Sequence, residues 1–177
     1  MTEVAFDRVK YLSILRHGKA AEGEDWPIDL DRPLVKRGRK DLANIVKVLQ
    51  QTKPAVDWII TSPARRARQS AELVAQGLKL DKSPVVEDAI YEHGADALMT
   101  LLEHVPPDIQ HALLVGHNPT LERLISGLCA GSQTRMQNKL PTAGLATMEL
   151  QIVQWEQARQ GCGSLLLYMR PKQLRAF

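Results

Sequence analysis

Short apolar runs alternate with amphipathic helical patterns along almost the whole chain, and that alternation limits the fold more than any single residue does. Residues 11–15, 56–60 and 112–115 are apolar runs of strand length. Between them, Leu42, Ile45, Val46 and Leu49 recur at helical spacing, as do Leu98, Leu101, Leu102 and Val105, and then Leu121, Leu124, Ile125 and Leu128. Ser62-Pro63 and Asn118-Pro119 each read as a capping residue followed by the proline that favours a first helical turn. The first of these helices is expected to end at Gly77, in the position after the cap. Val85-Val86 reads as a short strand, and residues 145–155 and 164–169 as a closing hairpin. Strands that alternate with helices predict an α/β fold of three layers, α/β/α, with a mostly parallel central sheet covered on both faces.

The chain length of 177 residues suits one domain, with residues 1–10 as an N-terminal extension. A chain of this size buries roughly 70% of its unfolded surface and needs neither disulfides nor a structural metal. Cys129 and Cys162 form no C-x-x-C pair and read as reduced thiols. The N-terminus has no apolar core of signal-peptide length, and no run approaches the span of a membrane helix, so a cytoplasmic protein with no membrane partner is expected. A net charge of +3 is too small an excess to point to nucleic acid.

Open parallel sheets bind ligands beyond the carboxyl ends of their strands. The residues that follow the three clear strands are Arg16-His17-Gly18-Lys19, then Ser62-Pro63-Ala64-Arg65-Arg66, then Gly116-His117-Asn118-Pro119. Two histidines and several arginines therefore meet at one edge of the sheet, beside two helix N-termini. Free backbone N–H groups and planar guanidiniums both suit phosphate oxygens. No H-E-x-x-H or H-x-H is present, and no acidic residue lies within three positions of His17 or His117, which argues against a metal or any other cofactor. Lys36, Arg37, Arg39 and Lys40 read as a solvated basic helix face.

These segments resemble a known family. Leu15-Arg16-His17-Gly18 is similar to the signature of the histidine phosphatase superfamily, which shares the phosphoglycerate mutase-like fold. SPARRARQSAE at 62–72 and VGHNP at 115–119 resemble its second and third motifs. Arg32-Pro33-Leu34 with Arg37-Gly38, and Leu140-Pro141-Thr142-Ala143, resemble elements of the short SixA-type phosphohistidine phosphatases within that superfamily. The resemblance implies that His17 takes the phosphoryl group as nucleophile, while Arg16, Arg66 and His117 cradle its oxygens, with Gly18 and Asn118 beside them. Arg66 rather than Arg65 fits the motif because it directly precedes Ala67-x-Gln69. Many relatives use a carboxylate as general acid. Glu92 is the positional match here, with His93 and Asp88 as alternatives.

The resemblance implies a metal-independent hydrolase that works through an enzyme phosphohistidine, with a phosphohistidine-carrying protein as the expected partner. A phosphatase for small phosphate esters is the alternative, and a non-catalytic phosphate-binding module is the alternative of another class. A mutase fits less well, since the substrate-enclosing insertions are missing. The segment between Arg66 and His117 is already filled by helices and strands, and the acidic stretch 20–31 is brief. A shallow, lidless groove is therefore expected, with poor KM for small esters.

Overall fold

β1 (Lys10–Arg16) lies between two other strands, and apolar layers on both sides of the sheet bury its two faces. The computed structural model describes residues 9–175. β1 pairs in parallel with β4 (His111–Gly116) and antiparallel with β5 (Leu145–Leu150). β2 (Trp58–Thr61) pairs in parallel with β4 and with β3 (Val85–Val86), and β6 (Gly163–Met169) closes the other edge beside β5. The order is β3-β2-β4-β1-β5-β6, and only β5 runs against the rest. The fold is α/β with a mixed, mostly parallel sheet, as the strand–helix alternation predicts.

Alternating side chains feed two apolar layers. Leu12 and Ile14 of β1 and Ala112 and Leu114 of β4 pack with α4 (Ala95–Glu103) and α5 (Thr120–Ala130). Leu15, Leu113 and Val115 face the other way, onto α1 (Lys36–Leu49) and α2 (Arg65–Leu78). The one-turn α3 (Ala89–Glu92) precedes α4. The described part of the expected extension is short, because Lys10 already belongs to β1. Its buried ammonium donates to the Pro107 and Ile109 carbonyls. Residues 1–8 of that extension lie outside the described residues. Among the described residues no helix is long and apolar enough to cross a membrane.

Four local expectations need correction. Ser62-Pro63 does not open α2, which begins at Arg65 with Ala64 in the N-cap position and no side-chain cap; Ser62 Oγ accepts from the Ala64 N–H just before it. Gly77 does not end α2 but lies inside it, where a Cβ would meet Val46 Cγ1 at 2.5 Å, so it is a close-packing glycine. Lys79 takes the left-handed cap instead, with φ 58°. The Asn118 side chain does not cap α5. It donates to Glu122 Oε1 and the Leu140 carbonyl, both at 2.7 Å, and Pro119 takes the N-cap position. The strand expected over residues 145–155 stops at Leu150, because Trp155 turns inward in a 3₁₀ turn and donates its indole N–H to the Ile109 carbonyl.

Candidate active site

Strand register brings the two histidines together. Arg16 of β1 lies opposite Gly116 of β4, so the next residues, His17 and His117, leave the sheet side by side. Their ring centroids are 5.0 Å apart. Thr61 of β2 pairs with Val115, which delivers Ser62 to the same edge. The Ala143 N–H donates to the carbonyls of Arg16 and His17 and pins the end of β1 from the other side.

Hydrogen bonds assign each imidazole a tautomer. His17 Nδ1 lies 2.8 Å from the Gly18 carbonyl, which can only accept, so Nδ1 carries the proton. Nε2 keeps its lone pair and accepts from Arg66 Nε at 3.3 Å. Ser62 Oγ accepts from the Ala64 N–H and stands 2.7 Å from His117 Nε2. Among the described hydrogen bonds Nε2 is the one acceptor in reach of that buried hydroxyl's hydrogen, so the hydroxyl donates to it and leaves His117 Nδ1 as an N–H donor. His117 Nδ1 and Arg16 Nε are buried without a hydrogen-bond partner. Two such donors beside the His17 Nε2 lone pair suit an oxyanion.

The electrostatics keep both rings neutral. Burial pushes His17 down from 6.5 to about 4, with Arg66, Arg16 and Arg32 adding to the shift and the Gly18 hydrogen bond opposing it. Burial, then His17 and Arg66, push His117 down to about 3. Arg16 stays cationic and donates to the Leu140 carbonyl at 3.0 Å.

Arg66 is 6% exposed, whereas Arg65 points outward over the Trp26 ring. Arg66 is held by a residue that the sequence did not single out. Its NH1 donates to the Asp29 carbonyl and its NH2 to Asp29 Oδ2, both at 2.7 Å. Asp29 also accepts from Tyr91 at 2.8 Å and from Arg32 at 2.7 Å. Partial burial works to raise the Asp29 carboxyl, but hydrogen bonds from Arg32, Arg66 and Tyr91 outweigh it and hold the group well below the usual carboxylate range. The acidic stretch 20–31 is therefore a strap that braces one wall of the site, where an open rim was expected. The only hint in the sequence was its density of carboxylates close after His17.

The cavity at this edge has a volume of about 320 Å³, and Arg16, His17, Arg32, Arg66 and His117 are among its lining residues. Asn118 also lines it, but both its amide hydrogens are spent inside the protein, so its side chain has none for an anion. Gly18 likewise commits its N–H to Ser70 Oγ at 3.0 Å. A Cβ on Gly18 would meet Leu42 Cδ1 at 2.9 Å and the Gly38 carbonyl at 3.0 Å. Its part is to let the loop pass close to α1. Glu92, His93 and Asp88 are exposed and do not line the cavity. The turn of α3 sends Tyr91 inward instead, edge-on to His117 at 5.5 Å. Among the described residues, no group of three or more His, Cys, Asp or Glu side chains is arranged to hold a metal ion.

Residues 12–100 match the histidine phosphatase superfamily (branch 1). The chain belongs to that superfamily. An uncharacterized protein of Mycobacterium tuberculosis (strain H37Rv) is 30% identical over 164 residues, covering 89% of this chain and 100% of that protein. The phosphohistidine phosphatase SixA of Escherichia coli K12 is 28% identical over 139 residues, 77% of this chain and 83% of SixA. Among solved structures, the protein histidine phosphatase SixA complexed with tungstate superposes with a TM-score of 0.76 at 25% identity, over 93% of this chain and 99% of that one. A mycobacterial glucosyl-3-phosphoglycerate phosphatase shares the fold, with a TM-score of 0.69 at 18% identity over 91% and 99% of the two chains.

Proposed function

We propose that this chain hydrolyses the P–N bond of protein phosphohistidine through a phosphoryl group carried on His17. The observation that supports this reading is a neutral His17 Nε2 lone pair set among arginines with no protonated acid beside it. In the first step Nε2 forms a bond to phosphorus and the P–N bond to the substrate imidazole breaks. The departing nitrogen keeps the electron pair and takes a proton from water. Arg16, Arg66 and the His117 Nδ1–H hold the phosphoryl oxygens in line as charge shifts. A water then attacks phosphorus, releases phosphate and restores neutral His17.

The leaving group favours a phosphoramidate. An alkoxide departs poorly without a general acid. Asp29 is tied as an anion by three donors. The other carboxylate at the cavity, Glu22, sits exposed at the rim, 3.9 Å from Lys19. An imidazole needs far less acid assistance. Glu22 is also the one feature that favours the second reading, a phosphatase for small esters that borrows this rim carboxyl as its acid. The likeness to SixA proteins weighs towards the first reading.

The test is turnover of a phosphohistidine-carrying protein beside a panel of phosphate esters, in EDTA. Turnover of the protein is expected, with an acid-labile, alkali-stable phosphoryl adduct on His17 and loss of activity in His17→Ala. Near-normal turnover by His17→Ala would overturn the mechanism. Efficient ester hydrolysis with an inert phosphoprotein would overturn the substrate. Activity lost in EDTA and restored by one divalent ion would overturn metal independence.

A further inference from the structure

A second cavity, of about 610 Å³, opens beside the phosphate pocket and shares Arg16, Lys19 and Thr142 with it. Its other cations are Arg37, Lys139, Arg170 and Lys172, which come from the first turn of α1, the loop before β5 and the segment after β6. The two carboxylates in its lining are occupied. Buried Asp41 lies 3.9 Å from Arg37, and Glu122 accepts from Asn118 and the Leu140 N–H. Lys139, Arg170 and Lys172 are exposed and form no ion pair among the described residues. Like charges gathered from distant segments without internal partners repel one another, so folding alone does not account for the cluster.

We propose that this groove docks carboxylates that flank the phosphohistidine of an acidic carrier protein, a partner class that deepens the reading of the phosphate pocket and rests on it. Two features favour a protein over a small polyanion. The free cations are exposed tips of long, mobile side chains, which suit steering and a broad face better than a tight anion cage. The phosphate pocket also carries Glu22 in its lining, part of the acidic strap in which Glu24, Asp25 and Asp31 are exposed too. That strap repels a diffusing polyanion, whereas a protein with its acidic side towards the groove avoids it and is oriented by both edges.

The experiment uses the full chain and synthetic peptides that carry phosphohistidine between glutamates or between glutamines, with free phosphohistidine as the small substrate. Three exposed ion pairs support a preference for the acidic peptide of about tenfold in kcat/KM. The preference should vanish in Lys139→Glu/Arg170→Glu/Lys172→Glu and fade at high salt, with free phosphohistidine turned over unchanged. These three residues do not line the phosphate pocket. Equal turnover of the two peptides by the wild type, or an undiminished preference in the triple variant, would overturn the groove. A small bisphosphate favoured over both peptides and weakened by the triple variant would overturn the protein partner. Should no phosphohistidine substrate react, phosphoserine versions of the peptides carry the same contrast, so the groove is judged even if the P–N reading fails.

Discussion

Arg65 and Arg66 follow one another at the start of α2, about 100° apart around the helix axis. Only one of them can face the sheet edge. The sequence motif selects Arg66, and that side chain is buried against His17 while Arg65 lies over Trp26. Arg66→Ala should therefore lower kcat about 10²- to 10³-fold, the scale of one lost oxyanion donor. Arg65→Ala should change it little, and steady-state kinetics on both variants checks the ranking. Asp29→Ala removes the carboxylate that accepts from Arg66 NH2 and keeps the backbone carbonyl that accepts from NH1, so it should cost part of the Arg66 effect and little more when added to Arg66→Ala. The meeting of His17, His117, Arg16 and Arg66 was legible because each sits one or two steps from a strand or helix end. Asp29 and Tyr91 were not, because their roles depend on a strap and a one-turn helix folding back across the site. Neither segment has a periodicity to betray its direction. Glu92 looked suitable from its neighbours in the sequence, yet one step along α3 separates the side that meets His117 from the side that meets solvent.

At the level of elements, glycines decide how closely the helices approach the site. A Cβ on Gly38 would lie 2.3 Å from the Lys19 carbonyl oxygen and 2.7 Å from its N, both of them backbone atoms. The loop after His17 therefore crosses the first turn of α1 with no space to yield. Gly38→Ala should destabilise the fold by about 1–3 kcal/mol, as overpacking does, and should also lower activity by displacing the loop that orients His17. Gly23→Ala is the control, since nothing lies within 4 Å of its added carbon. Urea denaturation and turnover of the two variants separate the outcomes, and an unperturbed Gly38→Ala would contradict the packing described. The same physics explains where the sequence misled. A glycine at a helix terminus and a glycine at a helix crossing look alike in one dimension, so Gly77 read as a terminator when it is the contact of α2 with Val46. Asn118-Pro119 carried a capping signal, but Glu122 and the Leu140 carbonyl outcompete the helix N-terminus for the Asn118 side chain. Apart from the overlong reading of β5, the strands were legible to within one or two residues, because each is a short apolar run whose neighbours are polar or turn-forming.

Across the whole molecule, the neutral histidines of the site tie stability to pH. His17 titrates near 6.5 when unfolded and at about 4 when folded, His117 at about 3, and burial also lowers His111. Between pH 6.5 and 4 the unfolded chain therefore binds more protons than the folded one. Stability rises with pH wherever that holds, so it must fall as the solution is acidified through this window. The contribution of these groups is complete above pH 6.5 and is lost progressively towards about pH 4. For His17 alone the loss is on the order of 3 kcal/mol across the window, from 1.36 kcal/mol per pKa unit. Asp29 acts with the same sign at lower pH, because its depressed carboxyl stabilises the fold above the ordinary carboxylate range and gives that up only as pH falls further. The measurement is urea denaturation at pH 7, 6 and 5, followed for the wild type and for His17→Gln. The wild type should lose stability at each step, and His17→Gln, which has no proton to take up at that position, should lose less. A wild-type profile as flat as that of the variant would mean that His17 is already solvated and titrates near its ordinary value. A ring in that state would be protonated through much of the acidic range and could not present the Nε2 lone pair on which the proposed phosphoryl transfer depends.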